Sequence, residues 1–194
     1  MKRMYAKAVA ALMLCAAILS GCGESRDEKT NDLPGDSPAE FYLSSGVGAW
    51  GTSLTLNADG SFAGDYSDAD AGDSGEDYPN GTIYVCSFEG RFGEIQQVDE
   101  YSYSMTLAEI TTAQESGEEW IEDGCRYVVT EPVGIAGGET FLFYLPETPV
   151  ENVSEDFLFW RDMWLIAEEQ LPDTLTMYGL YNVEQDLGFL SVLN

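Results

Sequence analysis

From residue 41 onward, short segments rich in aromatic and branched residues alternate with clusters of Gly, Asp, Asn and Pro, and only one interval leaves room for a helix. In WGTSLTLNADGSFAGDY (50–66), Leu54 and Leu56 alternate with Ser53 and Thr55, the chain turns over 57–60, and Phe62 resumes the pattern. This is a β-hairpin built on an Asp-Gly turn. Pro79-Asn80-Gly81 precedes a strand over 82–89, and EIQQVDEYSYSMTLAEI gives two more, broken near Asp99 and Glu100, with Tyr101, Tyr103, Met105 and Leu107 on one face. RYVVTEP and TFLFYLP add two, each closed by a proline that ends a ladder. The exception is ENVSEDFLFWRDMWLIAEEQLP, where Val153, Phe157, Trp160 and Trp164 form one apolar stripe at helical spacing. Asn152 or Ser154 caps its start, Glu155 and Asp156 sit at the favourable end of the helix dipole, and Pro172 limits its far end. A terminal hairpin turning over 184–186 completes the chain. The pattern predicts a mainly β protein: a single antiparallel β-barrel of about eight strands with one helix in the C-terminal half, occupying residues 41–194. A two-sheet β-sandwich is the alternative.

Gly48-Ala49-Trp50, at the entry of the first expected strand, resembles the Gly-x-Trp signature that opens lipocalins and related calycin barrels. The resemblance implies a lipocalin-like barrel with the Trp50 indole across its closed end, and a helix late in the chain suits that architecture. Trp50 as an ordinary core tryptophan is the plainer reading, because the further aromatic and arginine motifs of classical lipocalins are not evident.

The N-terminus has a different texture. Residues 1–7 carry Lys2, Arg3 and Lys7 and no acid, and AVAALMLCAAIL (8–19) is uninterruptedly apolar. At about 12 residues this run is too short to span a bilayer, which needs about 20, but it suits a signal peptide over 1–21. Leu19-Ser20-Gly21-Cys22 resembles the lipobox of bacterial lipoproteins, which implies that Cys22 is acylated and becomes the mature N-terminus. Residues 22–40 hold almost no large apolar side chain and read as a lipidated flexible tether. The expected location is the extracytoplasmic face of a membrane, in the cell envelope, held by the lipid anchor.

Charge and composition exclude several functions. The formal charge of −27 becomes −30 once Lys2, Arg3 and Lys7 leave with the signal, and no histidine exists. So negative a chain repels nucleic acid, whose binding depends on clustered cations. Without imidazole, neither a His-dependent serine or cysteine hydrolase nor a His-ligated zinc site can be built.

Few side chains stand out as sites. Cys86 and Cys125 remain after Cys15 and Cys22 are accounted for, and two exported thiols are expected to form a disulfide if the fold brings them together. No cofactor is expected, but Asp68, Asp70, Asp73, Glu76 and Asp77 crowd a Gly-rich loop whose carboxylates are of the kind that can converge on calcium. The spacing departs from the EF-hand pattern, and a solvated acidic loop is the simpler expectation. Asp73-Ser74-Gly75 lacks the apolar strand that precedes an aspartic-protease triplet. Tyr42, Trp50, Tyr84, Tyr101, Tyr103 and Trp120 are able to stack on sugars, although aromatics in strands mostly form core. The sequence therefore predicts no catalytic residue and no enzyme. It predicts a binding domain for a small apolar ligand or an envelope protein, with a calcium or interaction module at 65–77 as one alternative and a carboxylate-based glycan hydrolase as the remotest.

Overall fold

A computed structural model describes residues 32–35, 39–46, 49–165 and 171–192. Its strands are β1 (Ala39–Leu43), β2 (Gly51–Leu56), β3 (Ser61–Asp70), β4 (Thr82–Gln97), β5 (Ser102–Thr112), β6 (Glu119–Glu122), β7 (Cys125–Val129), β8 (Thr140–Tyr144), β9 (Gly179–Asn182) and β10 (Leu187–Ser191). The single helix among the described residues, α1 (Glu155–Trp164), follows a short 3-10 turn between β8 and β9. Eight strands close a ring in the order β1–β2–β3–β4–β5–β8–β9–β10, every neighbouring pair antiparallel, and β10 returns to β1 through Phe41 opposite Ser191. The protein is thus mainly β, an up-and-down eight-stranded barrel with one helix, consistent with a lipocalin-like barrel. Closure rules out the sandwich, which would leave edges where β1 and β10 pair.

Two strands lie outside the ring. β7 runs parallel to β4, with Thr82 opposite Arg126, and β6 pairs antiparallel on its far side. This is possible because β4 is 16 residues long: its first half carries β3 on one side and β7 on the other, and its second half turns to β5. The sequence suggested a break after residue 89, in the Gly90–Gly93 region. The strand instead runs through that region with two register shifts against β5, and Glu94 takes a positive φ of 50° at the irregularity. Two short elements escaped the pattern. β1 begins inside the expected tether, and β6, EWIE, has too few apolar residues to register as a strand. The tether region also contributes to the core: Leu33 is buried and its N–H donates to the Ala58 carbonyl.

Alternation divides the apolar side chains between two cores. Phe41, Leu43, Leu54, Phe62, Phe92, Met105, Phe141, Phe143, Leu180 and Phe189 point into the barrel and are essentially inaccessible. Phe92 lies 4.7 Å from both the Phe62 and Phe141 rings. The second core lies between α1 and the outer wall, where Phe157 meets Tyr144, Tyr181 and Leu190. Its seat is made of glycine: a Cβ on Gly179 would lie 2.2 Å from Phe157 Cζ, and one on Gly188 would lie 2.9 Å from its ring. Burying a ring of this kind contributes about 1.5–3 kcal/mol. Three members of the expected stripe, Val153, Phe157 and Trp160, are buried, but Trp164 is 41% exposed. Ser154 occupies the N-cap without a side-chain bond.

Candidate functional site

Among the described residues the barrel interior is packed with aromatic and aliphatic side chains. A small pocket of about 10 Å³ beside Leu33, Leu56 and Phe143 has room for no more than a single water. With the described interior filled by side chains, a small ligand is looked for on the outer surface.

There, a groove of roughly 610 Å³ opens between the outer faces of β1–β3 and the last turn of α1, lined by Tyr42, Ser44, Trp50, Ser67, Met163 and Trp164. Its floor follows from strand alternation. Phe41 and Leu43 enter the core, so Tyr42 faces out, and its ring lies across β2 over Gly51. A Cβ on Gly51 would sit 2.2 Å from Tyr42 Oη, so only glycine lets the ring lie flat there. The far wall comes from α1, whose Trp164 meets Tyr42 edge to face at 5.7 Å and 88°. Trp50 meets Trp160 edge to face at 6.4 Å, and Trp160 is fixed by donating its indole N–H to the Asp186 carbonyl at 2.7 Å. Ser44 Oγ donates to the Trp50 carbonyl and accepts from the Gly46 amide, tying the β1–β2 connection down. No charged side chain lines the groove among the described residues. Flat aromatic faces beside hydroxyls suit a neutral ligand that has an apolar face and a polar rim.

Trp50 is half-buried against the barrel core, at the entry of β2 rather than of the first strand, since β1 precedes it. Its partner in the signature, Gly48, lies outside the described residues, as does Cys22. Helical spacing puts Trp164 at the end of an apolar stripe. Burial along the stripe runs from Val153 through Phe157 and ends at Trp160, because the last turn of α1 overhangs the barrel and presents Trp164 to Tyr42. Gly51 and Met163 carried no functional signal in the sequence. The one available hint was a glycine directly after Trp50 at the start of a strand, where close packing is the usual cause.

The expected Cys86–Cys125 disulfide is absent: both thiols are free. Cys86 points into the barrel core from β4, whereas Cys125 opens β7. In the parallel register, Val85 faces Val129, so Cys125 lies five positions from the point opposite Cys86. At about 3.3 Å per residue this is on the order of 17 Å, beyond the roughly 7 Å that a disulfide spans between Cα atoms. Burial pushes the Cys86 thiol pKa up, which further favours the unreactive protonated form.

The acidic loop does not gather its carboxylates. Asp70 Oδ1 accepts from the Gly72 and Asp73 amides and shapes the turn. Asp73 pairs with Arg126 at 2.6 Å and accepts from the Tyr84 hydroxyl, while Tyr78 lies under the same guanidinium at 4.8 Å. Asp68 stands on β3 opposite Tyr84, and Glu76 and Asp77 are exposed. No group of three or more His, Cys, Asp or Glu side chains converges on a metal-sized point among the described residues. What the loop does is hold the β6–β7 excursion: Asp73 and Arg126 connect the β3–β4 turn to β7, and Thr82 Oγ1 donates to the Asp73 carbonyl while accepting from Arg126 Nε.

Comparison with protein-family models, with curated proteins and with solved structures finds no match.

Proposed function

We propose that this protein is a lipid-anchored, extracytoplasmic binding module that takes a small neutral ligand, of the chemistry of a saccharide ring, in the groove between β1–β3 and α1. The observation that carries this reading is the contrast, among the described residues, between a filled barrel and an open aromatic groove without a charged side chain on its outer wall. A pyranose offers one face of C–H groups to an aromatic ring and a rim of hydroxyls to side-chain oxygens, which matches Tyr42 and Trp164 beside Ser44 and Ser67. An anionic ligand would find no cation among the described residues of the lining, and the strong negative charge of the chain would repel it. The anchor rests on Lys2, Arg3 and Lys7, the apolar run and the box ending at Cys22.

Titration with neutral oligosaccharides, read by tryptophan fluorescence, tests the groove. Trp164→Ala is expected to weaken binding about tenfold, or about 1.4 kcal/mol, and unchanged affinity in that variant rejects the site. Membrane fractionation tests the anchor separately. Cys22→Ala is expected to release the protein to the soluble fraction, and full retention of that variant rejects lipidation.

A further inference from the structure

The β4–β7–β6 excursion presents a second surface, on the far side of the sheet from the Asp73–Arg126 pair. In register across four strands stand Ala69, Ile83, Tyr127 and Trp120. Ile83 alternates with the inward-facing Thr82, Tyr84 and Cys86, so this row lies on the outer face. Trp120 and Tyr127 stack flat on each other, 5.0 Å between centroids and 5° from parallel, and α1 packs on a different part of the barrel. Trp120 belongs to β6, which pairs only with β7 among the named strands, leaving its other backbone edge without a strand.

We propose that this edge and its aromatic row dock an extended, Lys- or Arg-bearing segment of a partner protein by strand addition. Strand addition uses the backbone hydrogen-bonding groups of an open edge for affinity and alternate side chains for specificity. The side chains here fix the sign of the partner. Glu115, Glu118, Glu119, Glu122 and Asp123 are all exposed around β6; Glu119 shares the opposite face with Arg126, which Asp73 engages, whereas Glu122 alternates onto the face of Trp120 and has no cation opposite it on β7. Two copies of this chain pairing edge to edge would bring these acids together, which disfavours self-association. An anionic lipid surface is repelled for the same reason. A cationic strand satisfies the edge, faces the acids, and places an aliphatic or cationic side chain on the Trp120–Tyr127 stack.

The test uses the full-length protein in neutral detergent and two fluorescent peptides of equal charge, one alternating Lys with Val and one interrupted by Pro so that it cannot pair as a strand. The alternating peptide is expected to bind at least about tenfold more tightly than the interrupted one. Trp120→Ala, and separately E122K, are each expected to lose about tenfold, with Trp120→Phe recovering most of the Trp120→Ala loss. Near-ultraviolet circular dichroism establishes that the variants are folded. Equal binding of the two peptides would reduce the effect to charge attraction and overturn the proposal. So would unchanged affinity in the folded Trp120→Ala and Glu→Lys variants, and so would self-association of the protein through this edge that the peptide fails to displace.

Discussion

The Tyr42 and Trp164 rings, one from the first strand and the other from the last turn of the only described helix, meet edge to face at 5.7 Å across the mouth of the outer groove. Neither ring reaches its place by local sequence preference alone. Tyr42 is turned outward because its neighbours Phe41 and Leu43 are core residues, and Trp164 is brought over it because Phe157 anchors α1 on the glycine seat of β9 and β10. Packing of the second core therefore sets the geometry of the groove.

Gly51 is the cheapest point at which to disturb that geometry. Its backbone φ is ordinary, so Gly51→Ala strains only the space beneath Tyr42. The substitution is expected to displace the ring and weaken ligand binding about tenfold while the thermal midpoint stays close to that of the parent. Calorimetric binding beside a thermal scan checks this, and unaltered binding would show that the floor of the groove is not formed by Tyr42.

The seat of α1 makes a stability prediction. Gly179→Ala forces a methyl into the Phe157 ring and is expected to cost about 1–3 kcal/mol, whereas Phe157→Ala is expected to cost about 3–5 kcal/mol. The double variant is expected to cost less than the two together, because the small side chain at 157 leaves room for the added methyl. Denaturant unfolding measures all three, and strict additivity would mean that the two residues do not share this contact.

Thiol chemistry reports the register of β7. Native protein is expected to leave Cys86 unreactive and Cys125 slowly reactive toward a thiol reagent, and unfolding without reductant is expected to release two thiols. Finding none would mean that β7 is shifted along β4 enough to join the pair.

Burial and the Asp186 carboxylate, which Tyr181 Oη approaches at 2.7 Å, push the Tyr181 pKa up to about 12. Burial also raises those of Tyr144 and Tyr66. The folded state then retains protons that the unfolded chain releases near pH 10. This contribution is complete below about pH 10 and is lost as pH rises from there toward 12. Thermal midpoints across that interval are expected to fall steeply in the parent and less steeply in Tyr181→Phe; identical slopes would remove Tyr181 from the account.

The barrel was legible in the chain because its determinants are local. Alternation in 50–66 and 139–145, the Asp-Gly turn at 59–60 and the terminal hairpin each encode one strand pair, and closure follows from adding them in order. What stayed hidden depends on register between distant segments. β4 passes through glycines that usually end strands because it serves three partners in turn, and β6 is held by β7 rather than by its own composition. Asp73 read as a candidate calcium ligand because its neighbours in sequence are acids; its neighbour in space is Arg126, which neutralises it. Trp164 read as core because helical spacing predicts a face, and only the position of α1 on the barrel decides how far along that face burial extends.

Binding on the outer wall rather than inside the barrel is resolved by methyl-labelled methionine spectra recorded during titration with a neutral oligosaccharide. Met163 lines the groove, whereas Met105 is sealed in the barrel core. The Met163 signal is expected to move with ligand concentration while the Met105 signal stays fixed. Movement of Met105 with Met163 unchanged would place the ligand inside the barrel and contradict binding on the outer wall.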